Sequence, residues 1–285
     1  MGILNVTPDS FSEQGTYFDR RSAIARGLEM EREGADLLDI GGESTRPGAQ
    51  SVEEQEEMDR TIPVIEALRR RGFRIPISID TYKAPVAERA LAAGAEIVND
   101  ISGLRFDARL ALVATKHKAG LVLMHLRGTS RTMQQLPPVQ KIMPAIRQGL
   151  SASVRLALSA GVRKRQIVLD PGLGFGKSYD QNFEILRDLH RLNSLGYPIL
   201  AGPSRKSFIK RTVAEIIAET VRERPPSRNK RDVNSVPEGL LFGTAAAVTA
   251  AVLNGAHIVR VHDVREMAMV VRIADGIFGM KSSLQ

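Results

Sequence analysis

Cysteine is absent from this 285-residue chain. Its absence excludes disulfides and thiolate metal sites, and it suits a reducing compartment. Long apolar runs are missing as well: no window approaches the roughly 18 to 20 unbroken apolar residues of a membrane span. At the N-terminus no charged stretch precedes an apolar one, which predicts no signal peptide. Met1-Gly2 opens in the manner of a myristoylation signal, but Val6 stands where that signal needs Ser or Thr. No recognition-helix, zinc-finger or aromatic-basic strand pattern occurs. The formal charge of +8 therefore points to an anionic small substrate and not to nucleic acid. Part of that charge is local, since residues 205–232 hold nine Lys or Arg against four Asp or Glu. Together these absences predict a cytoplasmic protein that binds neither nucleic acid nor a membrane.

What is present is an alternation. Short apolar runs recur at Gly2–Val6, Ala35–Ile40, Ile75–Ile79, Glu96–Val98, Gly120–Met124, Ile167–Leu169, Pro198–Ala201 and His257–Val261. They are β-branched and apolar on both faces, as buried parallel strands are. Longer amphipathic stretches separate them. Arg20 to Glu33 carries Ile24, Leu28 and Met30 near helical spacing, and Ser51 to Arg71 opens with the Ser-x-x-Glu form of a capping box. Gly34, Gly72, Gly94, Gly161, Gly196 and Gly255 each stand just before a strand, where a left-handed residue stops a helix. Eight strand–helix units predict an α/β fold, a single-domain (β/α)8 TIM barrel spanning residues 1–285, with an open doubly wound sheet as the alternative. Residues 213–237 interrupt the pattern. They begin helix-like and become Pro-rich, basic and polar, so Arg224–Val236 reads as a flexible surface insertion, or else as a basic lid.

Polar residues collect at one end of these strands. They are Asn5, Asp39, Asp80, Asn99 with Asp100, His125, Asp170, Ser204 with Lys206, and Arg260 with His262. Each alone also fits a turn or a helix cap, but together they describe the catalytic mouth of a barrel. Arg260 and His262 share one face of the last strand and suit a phosphate or pyrophosphate as paired cationic donors. Asp80 and Asp170 can accept the forked N–H donors of a flat heterocycle, and such buried acids need either Lys206 or a ligand as partner. The segment Asp170-Pro171-Gly172-Leu173-Gly174-Phe175-Gly176-Lys177-Ser178 fails the spacing of both nucleotide-binding glycine motifs. Close approach of its backbone to a flat ligand is the expected reason for its glycines.

At these residues the chain resembles the bacterial dihydropteroate synthases. The matching blocks are GILNVTPDSF (2–11), DIGGESTRPGA (39–49), SIDT (78–81), NDI (99–101), LMH (123–125), DPGLGFGK (170–177), GPSRKSF (202–208) and RVHDV (260–264), in order and over nearly the whole chain. Compared with that family, the chain starts within strand one, and its 213–237 segment is long. The resemblance implies a transferase of folate biosynthesis. It would join p-aminobenzoate to 6-hydroxymethyl-7,8-dihydropterin pyrophosphate, giving 7,8-dihydropteroate and pyrophosphate.

The same resemblance implies the site. The pterin would lie among Asp80, Asn99, Asp170 and Lys206, with Arg260 against its face. Pyrophosphate would meet Asn5, Arg260 and His262 with Mg2+, for which Asn5 is the expected metal ligand and Asp9 a further candidate. The aminobenzoate would meet Thr45, Arg46, Pro47, Phe175, Ser204 and Lys206. Catalysis would rest on Lys206, Arg260, His262 and Asp80, while loops Thr7–Phe18 and Gly41–Ala49 close over the bound pair. The resemblance further implies a homodimer formed near the C-terminus, and a target of sulfonamides or a resistant variant. The alternative is a pterin-binding methyltransferase domain, a similar barrel without the STRPG and SRKS blocks.

Overall fold

The computed structural model describes residues 1–7, 20–44, 48–129, 131–133, 135–223 and 236–279, without the side chains of 220–223 and 236–237. Eight strands alternate with helices along it. The strands are β1 (Gly2–Asn5), β2 (Leu38–Gly41), β3 (Ile77–Asp80), β4 (Ile97–Asp100), β5 (Gly120–Met124), β6 (Ile167–Asp170), β7 (Leu200–Ala201) and β8 (Ile258–Val259). The helices are α1 (Arg20–Arg32), α2 (Glu54–Arg70), α3 (Ala84–Ala92), α4 (Arg109–His117), α5 (Ile142–Ser159), α6 (Tyr179–Arg187), α7 (Ser207–Glu223), α8 (Val236–Leu253) and α9 (Val264–Phe278).

All strand pairs are parallel. β1 to β6 form one sheet in sequence order, and β7 pairs with β8. Two bridges close the ring: Leu169 with Ile199 joins β6 to the residue before β7, and Gly2 with Val261 joins β1 to the segment two residues beyond β8. Ile3 N donates to Val261 O at 2.9 Å, and Val261 N to Met1 O at 3.0 Å. The sheet is thus a closed barrel, as the eightfold alternation predicted, and the open sheet is set aside.

The period of two within each strand decides what faces the barrel's interior. Leu121 and Leu123 of β5 pack with the helices in the main core, as do Ile77 and Ile79 of β3 and Leu38 and Ile40 of β2. Residues of the other parity form a separate cluster: Met1, Val122 and Leu200, with Leu37, Ile97, Val168 and Ile258 against them. This cluster is the apolar layer inside the amino-terminal half of the barrel. Continuing the same parity toward the carboxyl ends reaches Asn5, Asp39, Asp80, Asn99, Asp170 and Arg260. Apolar filling at one end and polar side chains at the other therefore follow from one alternation.

Two boundaries differ from the sequence expectation. The Ser51 capping box does not form: α2 begins at Glu54, and its N-cap, Glu53, makes no side-chain cap bond. Residues before Glu54 are held extended instead, because both the N–H and the carbonyl of Val52 bond to side chains outside the helix. Part of the expected insertion at 213–237 is helical. Residues 213–223 continue α7 and 236–237 open α8, while 224–235 lie outside the described residues. The six glycines expected to stop helices all have positive φ.

Candidate active site

Each inward-facing polar residue sits at a strand's carboxyl end because the strand's own alternation delivers it there. Asp39 is fully buried on β2, Asp80 is 6% exposed on β3, and Asn99 is 4% exposed on β4. Arg260, just beyond β8, joins them. Its Nε donates to Asp39 Oδ2 at 2.6 Å and its Nη2 to Asp80 Oδ2 at 2.7 Å. Asn99 Nδ2 donates to the same Asp39 oxygen at 3.0 Å. Asp39 Oδ1 and Asp80 Oδ1 are buried and have no hydrogen-bond partner among the described residues.

Of the two partners expected for the acids, Lys206 or a ligand, the first is not at ion-pair distance. Neither Asp80 nor Asp170 forms an ion pair with Lys206; Arg260 neutralises Asp80, and it is anchored to Asp39 as well. Sequence reasoning placed Asp39 at the mouth but gave it no role there. Its signal was available: a lone acid two residues before Gly41, inside an otherwise apolar strand, on the inward parity. Burial pushes the Asp80 carboxyl up, to about 7, against the opposing pull of Arg260. A donor-bearing ligand at Oδ1 would relieve that cost.

Lys206 and Phe175 come from the loops after β7 and β6. Lys206 Nζ lies 4.1 Å from the Phe175 ring centroid, a cation–π contact. Burial, followed by the nearby Arg260 charge, lowers the lysine to about 8, while Asp170 and Asp80 oppose that shift. Asp170 is itself raised by burial, and its Oδ1 accepts from Gly172 N at 2.6 Å. Ser204 is buried beside His262. Its Oγ accepts from His262 N at 3.2 Å and lies 3.0 Å from His262 Nδ1. In the tautomer where the hydroxyl donates to Nδ1, the ring carries its N–H at Nε2.

In the ligand-free site His262 does not carry the charge that strand spacing suggested. Burial, then the positive charges of Arg260 and Arg205, lower it to about 3, so it is a neutral donor at pH 7. Arg260 is committed to two acids, so its charge toward any anion is shared with them. Asp100 and His125 leave the site altogether, since both have the outward parity. Asp100 accepts from Ser102 N at 2.7 Å and Leu104 N at 2.5 Å, fixing the turn after β4. The His125 ring lies against α5, where a Cβ placed on Gly149 would come within 2.6 Å of it.

The glycine-rich loop has a different reason from the one expected. A Cβ on Gly172 would lie 2.2 Å from His125 O, and one on Gly176 would lie 2.6 Å from Arg127 Cβ. These two glycines admit close approach of protein atoms rather than of a ligand. Gly174 faces Lys206, whose Cδ would be 3.1 Å from such a Cβ. Lys177, at the end of the loop, is buried and donates to His125 O at 2.6 Å.

Asn5 is half-buried at the end of β1, paired in register with Gly41. Asp9 and most of the Thr7–Phe18 loop lie outside the described residues, and so do Thr45, Arg46 and Pro47. No cluster of three or more His, Asp or Glu suited to a metal occurs among the described residues.

The chain matches the family described as pterin binding enzyme over residues 1–262. It is 46% identical over 278 residues to the dihydropteroate synthase of Synechocystis, covering 98% of this chain and 89% of that protein. It is 43% identical to that of Bacillus subtilis, covering 97% and 87%. Among solved structures, the Yersinia pestis dihydropteroate synthase in complex with a sulfonamide drug superposes with a TM-score of 0.85 at 37% identity, over 98% of this chain and 94% of that one. The Xanthomonas albilineans enzyme with 4-aminobenzoic acid superposes with a TM-score of 0.81 at 39% identity, over 97% and 92%. With this coverage and identity, the chain belongs to the pterin-binding enzyme family, among the dihydropteroate synthases.

Proposed function

We propose that this chain condenses p-aminobenzoate with 6-hydroxymethyl-7,8-dihydropterin pyrophosphate, giving 7,8-dihydropteroate and pyrophosphate. The observation that carries the reading is the unpartnered Asp80 Oδ1, buried in the mouth beside Asn99 and near Lys206. An aminopyrimidinone edge supplies the paired N–H donors that such an oxygen lacks. In this reading Asp80, Asn99 and Asp170 hold the pterin edge, Lys206 donates to it, and Arg260 lies against its face. Asp39 acts through Arg260, holding the guanidinium in place.

The reaction transfers a methylene carbon from oxygen to nitrogen. The bond from that carbon to the pyrophosphate oxygen breaks, and its electron pair leaves with the oxygen. The electron-rich heterocycle carries the positive charge, the neutral aromatic amine adds to the carbon, and the amine then loses one proton. No strong base is required, so the barrier rests on stabilising the departing anion. The His262 Nε2–H and Arg260 would donate to it, with Asn5 at the same edge. Thr45, Arg46, Pro47, Phe175 and Ser204 would receive the aminobenzoate, and Lys206 stands between the two substrates.

Mg2+ fits this site as an ion carried by substrate. Asn5 offers one amide oxygen, which matches the habit of Mg2+ to keep water and phosphate oxygens for most of its shell. When bound, it would neutralise charge developing on the departing pyrophosphate.

The same reading makes the chain a sulfonamide target, since the Yersinia pestis relative carries such a drug. A homodimer is supported by an apolar groove of about 780 Å³ between α6, α7 and α8, lined in part by Phe183, Phe208, Ile216 and Phe242. Phe242 is 65% exposed, and Ile273, Ile277 and Phe278 of α9 are likewise exposed, a density of apolar surface that marks an interface. No described helix is long and apolar enough to cross a membrane. The anionic substrate and the lack of cysteine support the cytoplasm. The deciding experiment is pyrophosphate release assayed with and without p-aminobenzoate. Release that depends on the amine is expected; release indifferent to it would overturn the reading.

A further inference from the structure

One buried ionic cluster lies beside the pterin site without a hydrogen bond to it, although its Glu57 helps to raise the Asp80 carboxyl. Lys83, at the N-cap of α3, uses all three of its N–H donors. Its Nζ donates to Glu43 Oε2 at 2.6 Å, to Val52 O at 2.6 Å and to Glu57 Oε2 at 2.5 Å. Glu43 Oε2 also accepts from Val52 N at 3.0 Å, and Tyr82 OH donates to Glu43 Oε1 at 2.8 Å. The side chains of Lys83, Glu43 and Glu57 are 11%, 10% and 1% exposed. Burial opposes the charge on Lys83, but its bonds to Glu43 and Glu57 outweigh that and raise it.

The placement of these residues gives the cluster its meaning. Glu43 lies just after β2, and Val52 just before α2, so they are the two ends of the connection that carries Thr45-Arg46-Pro47. One ammonium group therefore ties both ends of that connection to one point. The neck is tightened further by Arg60 Nη1, which donates to Gly42 O at 2.8 Å. Gly42 has no room for a side chain, because a Cβ there would lie 2.8 Å from Thr61 Cγ2. The anchor itself belongs to the segment after β3, three residues beyond Asp80. Three partners fix the ammonium in place, and removing it would leave two buried carboxylates without their shared cation.

We infer that Lys83 is a positioning residue: through Glu43 and Val52 it sets the neck of the 43–52 connection, and so acts on the affinity for the amine substrate more than on that for the pterin. This rests on the reading that Thr45, Arg46 and Pro47 receive p-aminobenzoate. The geometry distinguishes two kinds of role. A residue that merely stabilised the barrel would lower the melting temperature and alter both substrates alike. A residue that sets the neck should split them, because displacing a binding group by a fraction of an ångström acts only on the substrate it touches.

The test is steady-state kinetics of the full chain with both substrates varied, beside calorimetric melting. Lys83→Met should raise KM for p-aminobenzoate on the order of 10- to 100-fold while KM for the pterin pyrophosphate moves about twofold or less. Lys83→Arg keeps the charge but not the three-way geometry, and should give an intermediate split. Tyr82→Phe, which removes a single bond to Glu43, should give a small split in the same direction, and it decides the matter if Lys83→Met does not fold. Equal rises in both KM values, or a lower melting temperature with unchanged KM, would overturn the inference. Arg46→Ala separates this failure from failure of the underlying reading: an unchanged KM for p-aminobenzoate in that variant would refute the loop's assignment, whatever Lys83 does.

Discussion

Arg260 Nε donates to Asp39 Oδ2 at 2.6 Å, joining the last strand of the barrel to the second across 221 positions of sequence. Asp39 is fully buried and outside the set of residues read as touching substrate. Its charge holds a guanidinium whose other ion pair among the described residues is with Asp80. Asp39→Ala should therefore destabilise the ligand-free enzyme by about 3 kcal/mol in urea unfolding, the cost of breaking a buried ion pair from one side. Activity should fall with it, because Arg260 loses its fixed position. A loss below about 1 kcal/mol, the size of an exposed pair, would show that water reaches the guanidinium and compensates it.

Lys206 is held in the mouth at a cost. Its folded value of about 8 lies below the usual lysine value of about 10.4. Between those values the unfolded chain binds a proton that the folded chain lacks, so stability rises with pH across that window. Below it both states are charged, and the full cost remains. Lys206→Met should thus be at least as stable as the parent at pH 7, with its advantage shrinking toward pH 10. Turnover should drop on the order of 10²-fold or more, as for loss of one preorganised donor. Near-normal turnover in the variant would remove Lys206 from the mechanism.

His125 and His262 both resist protonation. Each is lowered to about 3, by burial first and nearby cations second. From about pH 6.5 downward the unfolded chain takes up protons that the folded chain refuses, so stability falls with falling pH. Each histidine adds a slope of up to about 1.4 kcal/mol per pH unit. Urea midpoints measured from pH 7 to pH 4 should show it, and His125→Gln should make the decline shallower. Pyrophosphate affinity should show no step near pH 6.5 that His262→Gln removes. Such a step would mean that His262 is charged in the complex.

Asp170 is read as serving two partners with two oxygens. Oδ1 holds Gly172 N at 2.6 Å, and the other is read as facing the pterin. Asp170→Asn can keep the first bond through its carbonyl, but its NH2 group opposes the N–H donors of the ligand. Calorimetry with each ligand alone should show pterin binding weakened on the order of tenfold or more, the loss of one charged hydrogen bond, and aminobenzoate binding little changed. Equal losses for both would mean that Asp170 acts only by holding the glycine loop.

Magnesium should follow the pyrophosphate. With Asn5 as its protein ligand, the ion has too few fixed oxygens to bind the free enzyme tightly. Titration of Mg2+ into the ligand-free protein should give weak or no heat, and into the pyrophosphate complex a saturable signal. Chelation should abolish turnover. Tight binding to the free enzyme would reveal a further set of protein ligands.

Sequence by itself determined the architecture and the end of the barrel that carries the chemistry. Eight apolar strands with polar carboxyl ends leave few other ways to bury the strands on both faces. It also held more than a first reading takes from it: the parity of each strand separates Asp39, Asp80, Asn99 and Asp170, which face inward, from Asp100 and His125, which do not. Tertiary structure alone decided the pairings. Spacing within a strand says that Arg260 and His262 share a face, but their charges depend on neighbours brought in by other strands. Arg260 meets Asp39 and Asp80 there, and burial leaves His262 neutral. The start of α2 was settled in the same way. Ser51 and Glu54 have a helix-capping pattern, yet contacts from Glu43 and Lys83 to Val52 hold the chain extended. Local propensity is worth about 1 kcal/mol at such a position, and a buried, charged set of hydrogen bonds outweighs it.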